Sequence, residues 1–120
     1  CDVEAQRVIY HGPHKPSSES IMHWLIYYHH PETRAIVHAH DEFATRTDLL
    51  AGEVDESHRE EPYGTIELAR AAIEIFQKAH RIIVLKNHGY VAIGPDLDQA
   101  CDLIVETHIR LLDKQKSQSA

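Results

Sequence analysis

Three short segments of the chain carry residues that could act together in catalysis. Residues 17–19 place two hydroxyls beside a carboxylate, His38 and His40 are separated by one residue, and His88 stands in a turn-like segment. Three imidazoles can hold one divalent metal ion, and a nearby carboxylate can serve as a general acid or base. This set predicts metal-assisted carbon–carbon or proton-transfer chemistry on a small anionic substrate.

The histidine pair lies in residues 35–40, AIVHAH, the clearest strand candidate in the chain. Because successive side chains of a strand point to opposite faces, His38 and His40 share one face. They are then close enough to bind one metal ion at roughly 2.0–2.1 Å. The alternative is that two histidines fall on a polar face by chance, and a third histidine favours the metal interpretation. An all-histidine set suits zinc and similar ions and leaves positions open for water or substrate.

The remaining candidates each have a simpler explanation from the residues alone. His88 lies in a turn between two hydrophobic strands and could simply hydrogen-bond that turn. Glu19 is expected near the N-terminus of a helix, where a carboxylate complements the helix dipole. Ser17 and Ser18 could only cap that helix, although hydroxyls and free N–H groups at a helix N-terminus also make a phosphate site.

Hydrophobic periodicity predicts the elements that must position these residues. Strands are expected at 35–40, 81–85 and 90–93, with an irregular acidic segment from Asp41 to Pro62. A first helix begins at Ser17 or Ser18, and its predicted buried face is Ile21, Trp24, Leu25 and Tyr28. A second helix spans about Thr65 to Lys78, and its predicted buried face is Ile66, Ala69, Ile73 and Phe76.

A last helix should follow the capping box formed by Asp96 and Gln99. Its predicted apolar stripe is Leu97, Ala100, Cys101, Ile104, Val105 and Leu111 or Leu112. The polar tail from Lys114 is expected to fray.

The composition narrows the class of protein. The chain has 120 residues, of which 42% are hydrophobic, as expected for one globular domain. A net charge of −7 without a basic run argues against a nucleic-acid partner. The apolar runs are too short to span a bilayer, so no membrane partner is expected. Two cysteines, Cys1 and Cys101, are too few for a disulfide framework and favour a reducing, cytoplasmic setting.

In their order along the chain, these motifs resemble those of the class II aldolase/adducin family. Pro16-Ser17-Ser18-Glu19 is similar to the family's P-S-S-E loop, and residues 31–40 are similar to its P…A-x-V-H-x-H strand. Residues 64–69 are similar to its G-x-x-E-L-A helix start, and residues 85–89 contain its N-H-G turn. The likeness runs from about Gly12 to Leu112, which is nearly the whole chain.

The resemblance implies a role for each candidate residue. One zinc ion per subunit would be held by His38, His40 and His88. Glu19 would be the acid/base residue beside the metal. Ser17 and Ser18 would bind the substrate phosphate.

The resemblance also implies an activity, that of a metal-dependent lyase of carbohydrate metabolism. The expected reaction is reversible retro-aldol cleavage of a ketose 1-phosphate, a small phosphorylated sugar, to dihydroxyacetone phosphate and an aldehyde through a metal-stabilised enediolate. Glutamate in the P-S-S-E position favours an aldolase over an epimerase, because the family's epimerases carry aspartate there. The alternatives are an epimerase, dehydratase or decarboxylase using the same metal site, or a non-catalytic adducin-like assembly domain.

The fold implied is α/β, a three-layer α-β-α domain with a mostly antiparallel central sheet, covering residues 1–120 as a single domain. The family's enzymes imply a homotetramer in the cytoplasm. Only fifteen residues precede Pro16, so we expect the chain to lack the family's usual N-terminal portion.

Overall fold

Three helices and four strands form the described part of the chain in a computed structural model, which describes residues 1–41, 54–56, 61, 64–76 and 81–119. The helices are α1 (Ser20–His29), α2 (Ile66–Phe76) and α3 (Leu97–Ser119). The strands are β1 (Ala35–His40), β2 (Asp55–Glu56), β3 (Ile82–Leu85) and β4 (Gly89–Gly94). Within these residues, no helix combines the length and low polarity needed to cross a membrane.

The four strands form one sheet in the order β1-β4-β3-β2. β4 pairs antiparallel with both β1 and β3, so the predicted mostly antiparallel sheet is confirmed. β2 pairs parallel with β3 and was not predicted, because its residues Asp55 and Glu56 lie in an acidic, polar stretch. Most of that stretch, between Asp41 and Pro62, lies outside the described residues.

Helices cover both faces of the sheet, which confirms the predicted three-layer α-β-α arrangement. Period-two alternation sends one set of side chains toward α1 and α2, namely Ile36, Ile83, Leu85, Val91 and Ile93. The other set packs beneath α3 and includes Ala35, Val84, Tyr90 and Ala92. Because His38 and His40 alternate in phase with Ile36, both imidazoles lie on the face that carries α1 and α2.

The predicted start of α1 is wrong by two to three residues. The helix begins at Ser20, and Glu19 is its N-cap residue, although the glutamate side chain makes no capping hydrogen bond. The Ser17 hydroxyl instead accepts a hydrogen bond from the Glu19 N–H at 3.1 Å, and the Ser20 hydroxyl donates to the Ser17 carbonyl at 2.7 Å. The serines therefore shape the turn that leads into the helix.

The predicted buried face of α1 is half wrong. Ile21 and Leu25 are buried as expected, but Trp24 and Tyr28 are 39% and 67% exposed and stack on each other. Their places in the core are taken by other apolar residues of the helix, Met22 and Ile26. Apolar residues flank both sides of the central stripe, so helical periodicity alone could not decide which flank faces α2.

The other two helices agree more closely with the sequence pattern. In α2, the four positions predicted to be buried are buried, and the predicted end at Lys78 lies outside the described residues. The capping contact before α3 is present, with the Gln99 N–H donating to Asp96 Oδ1 at 2.8 Å. The stripe of α3 is only partly buried: Ala100 and Leu111 are fully covered, whereas Leu97 and Val105 are more than half exposed.

Helix α3 is longer than the strands on which it packs. Its 23 residues extend about 34 Å, whereas a six-residue strand extends only about 20 Å. The sheet therefore cannot cover the whole helix. The tail predicted to fray from Lys114 is helical as far as Ser119.

Candidate active site

The pairing of β1 with β4 brings the three histidines together. His40 is the register partner of Gly89, and His38 is the partner of Val91. His88 directly precedes β4 in the turn that follows β3, and its N–H donates to the Leu85 carbonyl at 2.9 Å. The end of β1 and the start of β4 thus deliver three imidazoles to one edge of the sheet.

The ring nitrogens of this histidine cluster converge on one point. Nε2 of His38 lies 3.0 Å from Nε2 of His88 and 3.1 Å from Nε2 of His40. The three ligand atoms all lie within 4.8 Å of one another. Two nitrogens bound tetrahedrally to zinc at 2.0–2.1 Å lie roughly 3.3 Å apart, so the spacing suits a single ion.

Gly89 is required for this convergence. A Cβ atom at that position would overlap the carbonyl oxygen of Ala39 on the neighbouring strand. Asn87, two residues earlier, adopts a positive φ of 54°, which asparagine tolerates better than most residues. The Asn-His-Gly sequence therefore combines the turn with the close strand approach that sets the distance from His88 to β1.

Hydrogen bonding and burial leave the cluster rich in lone pairs. Nδ1 of His38 donates to the Tyr90 carbonyl at 2.8 Å, which holds its proton on Nδ1 and leaves Nε2 bare. Burial lowers the pKa of His38, and burial together with the neighbouring His38 and His40 lowers the pKa of His88 to about 4. The unprotonated Nε2 of His38 lies close to Nε2 of both His40 and His88 and cannot form good hydrogen bonds with both at once. A cation at the centre can instead bind all three nitrogens. The donor set therefore fits a divalent metal ion.

Glu19 lies beside this cluster and is only 4% exposed. Its Oε1 accepts the Gly64 N–H at 2.7 Å, and its Oε2 lies 3.2 Å from Nε2 of His88. Among the described residues, Oε2 has no hydrogen-bond partner. One oxygen thus fixes the carboxylate while the other faces the histidines and remains available for a proton or a cation.

The backbone at Gly64 makes the glutamate contact possible. Its φ is +73°, and a Cβ there would lie 3.2 Å from Cβ of Ser18. The sequence marks Gly64 only as the start of a motif. Its contact with Glu19 joins residues that are far apart in the chain and follows only from the structure.

Ser17 and Ser18 do not belong to the histidine cluster. Both serines are exposed in the turn before α1. The Ser17 hydroxyl accepts the Glu19 N–H, so it also helps to orient the carboxylate-bearing residue. Both hydroxyls are accessible to a ligand that approaches the site from solvent.

His23 was not among the candidate residues predicted from the sequence. Burial, followed by the charge of His38, lowers the pKa of His23, while Glu19 raises it. His23 therefore lies close to the cluster, and its N–H donates to the Glu19 carbonyl at 3.1 Å. The available signal was its spacing, since a residue four positions after Glu19 lies on the same helical face.

Comparison with known proteins identifies the family. The family model described as the class II aldolase and adducin N-terminal domain matches residues 1–110. The chain belongs to the class II aldolase and adducin family. The four motifs of this class II aldolase/adducin chain, which supply Glu19 and the three histidines, all lie inside the matched range.

Curated relatives of this class II aldolase/adducin chain include enzymes with different reactions. A 5-methylthioribulose-1-phosphate/5-deoxyribulose-1-phosphate aldolase of Rhodospirillum rubrum is 31% identical over 109 residues, covering 79% of this chain and 49% of the relative. An L-fuculose phosphate aldolase of Methanococcus maripaludis is 31% identical over 99 residues, covering 72% and 53%. A 3-oxo-tetronate 4-phosphate decarboxylase of Haemophilus influenzae is 30% identical over 109 residues, covering 76% and 51%.

A solved structure shares the fold of this class II aldolase/adducin chain. An L-fuculose 1-phosphate aldolase superposes with a TM-score of 0.77 at 27% identity, covering 92% of this chain and 57% of the other. The chain thus spans about half the length of the curated relatives it matches.

Proposed function

We propose that the protein acts as a zinc-dependent class II aldolase-type lyase on a phosphorylated sugar. The proposed reaction is reversible retro-aldol cleavage of a ketose 1-phosphate to dihydroxyacetone phosphate and an aldehyde. The observation that carries the proposal is the convergence of three Nε2 atoms beside a buried carboxylate. The fuculose phosphate aldolases among the relatives support the substrate class.

His38, His40 and His88 are the proposed ligands of one zinc ion per subunit. The lowered pKa values of the partly buried His38 and His88 and the short distances between the three Nε2 atoms support this assignment. When bound, zinc supplies a Lewis acid that polarises the substrate oxygens and stabilises the negative charge released by carbon–carbon cleavage. Three protein ligands leave room in the coordination sphere for the substrate.

Glu19 is the proposed acid/base residue. The Gly64 N–H holds Oε1, so Oε2 can take a proton from the dihydroxyacetone phosphate half and return it without the side chain reorienting. Burial of the carboxylate excludes bulk water from this transfer. The 3.2 Å distance from Oε2 to His88 supports a proton transfer next to the metal ligands.

Ser17 and Ser18 are proposed to bind the substrate phosphate. Their hydroxyls are exposed at the N-terminus of α1, where the helix dipole favours negative charge. The phosphate would then lie on the solvent side of Glu19, with the carbon chain extending inward toward the histidines. This arrangement gives the acidic protein a local site for an anion.

The proposal extends to a single domain over residues 1–120 that assembles as a homotetramer in the cytoplasm. The exposed aromatic side chains of α1, Trp24, Tyr27 and Tyr28, support an oligomer because they present apolar surface to solvent. Cys1 and Cys101 are both free thiols, which is consistent with a reducing compartment.

A decarboxylase acting through the same site is the second candidate. The Haemophilus influenzae relative favours it, since its name describes decarboxylation of a phosphorylated sugar acid. Both reactions leave negative charge on a carbon beside a carbonyl group, so the same zinc and glutamate could serve either. The identity of the substrate therefore distinguishes aldol cleavage from decarboxylation.

Metal analysis and product analysis of the purified protein test the proposal. We expect about one zinc per chain by elemental mass spectrometry, and release of dihydroxyacetone phosphate from L-fuculose 1-phosphate in a coupled assay. Carbon dioxide release from a 3-oxo-tetronate 4-phosphate without aldol cleavage would instead favour the decarboxylase. Stoichiometric metal without either reaction on related substrates would favour an adducin-like assembly domain. Absence of bound divalent metal would contradict the lyase proposal altogether.

A further inference from the structure

The three histidines differ in how their imidazoles are held. The His38 ring is oriented by the Tyr90 carbonyl, and the His88 ring lies against the Glu19 carboxylate. His40 is exposed, and within the described residues its Nδ1 has no hydrogen-bond partner. The direction of the His40 ring therefore depends on the backbone that carries it.

That backbone is the weakest end of the pairing between β1 and β4. β1 lies at the edge of the described sheet, and its last register pair joins His40 to Gly89. A strand end with a neighbour on only one side frays easily unless a side chain anchors it. The next residue, Asp41, supplies such an anchor.

Asp41 is anchored to α3 by a hydrogen bond. Its Oδ2 accepts a hydrogen bond from Nδ1 of His108 at 2.7 Å. The Asp41 side chain is 16% exposed and that of His108 is 42% exposed. Asp41 directly follows the last residue of β1, so fastening it on the α3 side fixes the backbone beyond His40, whose imidazole lies on the other face, where the histidines meet.

Tyr90 provides a second link between α3 and the histidine cluster. Its ring is 1% exposed and packs with Leu111 of α3, while its carbonyl orients His38. Burial, followed by the charge of Asp41, raises the pKa of Tyr90 to about 12, so Asp41 lies near the phenol. Helix α3 thus supports the strand ends that carry two of the proposed ligands, although it contributes no ligand itself.

We infer that the Asp41–His108 hydrogen bond positions the proposed metal ligand His40 from the opposite face of the sheet. The inference rests on the proposed metal site and concerns residues that do not touch the metal. The pair restrains Asp41, the residue that follows His40, and so limits the directions in which Nε2 of His40 can point.

Two substitutions at residue 108 separate the hydrogen bond from simple packing. His108→Leu removes the donor and keeps comparable volume, whereas His108→Asn keeps an N–H close to the position of Nδ1. The matched control is Ile109→Ala, an exposed position on the same turn of α3. Cobalt(II) replaces zinc as a spectroscopic probe, with affinity measured by competition and geometry read from the visible d–d bands.

We expect His108→Leu to weaken cobalt and zinc affinity about tenfold and to shift the d–d bands, as loss of an outer-shell partner does. His108→Asn should restore both to near the wild-type values, and Ile109→Ala should change neither. Asp41→Ala should match His108→Leu, and the double variant should cost no more than either alone.

The outcomes distinguish this inference from the proposed function. If wild-type protein binds metal while His108→Leu keeps its affinity and spectrum, the positioning role is wrong and the metal site stands. If His108→Leu lowers thermal stability but leaves the d–d bands unchanged, the pair is only structural. If the wild-type protein binds no metal, the proposed function itself fails.

Discussion

The two ends of the β1–β4 pair differ in the kind of surface they present. At one end, three imidazoles and a buried glutamate converge within a few ångströms. At the other end lies an open cleft of about 580 Å³, lined by residues that include Glu32, Arg81, Gly94, Gln99, Asp102 and Glu106. The six residues of β4 separate the two ends by about 17 Å.

The difference teaches that convergence of donor atoms, rather than cavity volume, marks the proposed site in this fold. The charged residues of the cleft are exposed, and solvation leaves each of them largely independent of its neighbours. At the histidine end, burial and repulsion from His38 and His40 favour the neutral form of His88 by lowering its pKa. Among the described residues, Oε2 of the buried Glu19 has no hydrogen-bond donor. Such arrangements are costly for stability, and they cluster at functional sites.

Removal of one histidine should have the largest effect. We expect His88→Ala to weaken zinc affinity by more than about a hundredfold, because loss of even an outer-shell partner costs 10–100-fold. Isothermal titration calorimetry on metal-free protein measures the change. His14→Ala, which removes an exposed loop histidine, is the matched control. Equal affinity in the His88 and His14 variants would remove His88 from the metal site.

Glu19→Gln should affect turnover rather than metal binding. The amide keeps the shape of the side chain and can still accept the Gly64 N–H, but it cannot take a proton. We expect a loss of about 10²–10⁴-fold in kcat with zinc content unchanged. Glu67→Gln, at an exposed glutamate of α2, provides the comparison. Full turnover in Glu19→Gln would exclude an acid/base role.

The sequence predicted the parts of the site that depend on local geometry. The alternation of a strand sufficed to put His38 and His40 on one face. The approach of His88 depends on the register between β1 and β4, which no local pattern encodes. The residue type suggested a third ligand, and the family resemblance implied its role. The contacts from Gly64 to Glu19 and from His108 to Asp41 were missed for the same reason, since they join residues distant in the chain.

The errors in the predicted fold also have physical causes. In α1, two overlapping apolar stripes both fit a buried face, and packing against α2 selected the one with Met22 and Ile26. In α3, the buried positions Ala100 and Leu111 face the sheet, whereas Val105 lies off this face and is exposed. Hydrophobic periodicity predicts that a segment is helical, but it does not show which of its apolar side chains the neighbouring elements cover.

Glycine substitutions compare the two ends of β4 directly. Gly89→Ala would force a methyl group into the Ala39 carbonyl, and we expect a loss of about 2–3 kcal/mol in unfolding free energy. It should also weaken zinc affinity by moving His88 away from β1. In Gly94→Ala the new Cβ lies 3.2 Å from the Ala100 nitrogen, a milder contact.

Urea unfolding and zinc titration of both glycine variants check this prediction. Gly94→Ala should lose less stability than Gly89→Ala and should keep the wild-type zinc affinity. If both variants bound zinc as the wild type does, the close strand approach at Gly89 would not set the geometry of the cluster.

Acid should destabilise the metal-free protein through the histidine cluster. His88 has a pKa of about 4 in the folded state, below its ordinary value of 6.5, so between these values the unfolded chain binds a proton that the folded chain excludes. Its contribution to stability is therefore present above pH 6.5 and is lost as the pH falls toward 4. We expect a loss of roughly 3 kcal/mol from this residue by pH 4.

Chemical denaturation at several pH values measures that loss. His88→Gln removes the titrating group, so its stability should fall less steeply between pH 6.5 and 4 than that of the wild type. Parallel curves for the two proteins would show that His88 is not held neutral by its surroundings.

Substitutions in the cleft should have the smallest effect. Arg81 and Asp102 are exposed and line the cleft near the far end of β4, and salt at physiological strength screens exposed charges beyond about 8 Å. We expect Arg81→Ala and Asp102→Asn to leave zinc affinity and kcat within about twofold of wild type. The two changes alter net charge in opposite directions, so a long-range field from the cleft would shift zinc affinity in opposite senses. Opposite shifts of more than twofold in zinc affinity would mean that the two ends of the sheet are coupled electrostatically, which would contradict the contrast between them.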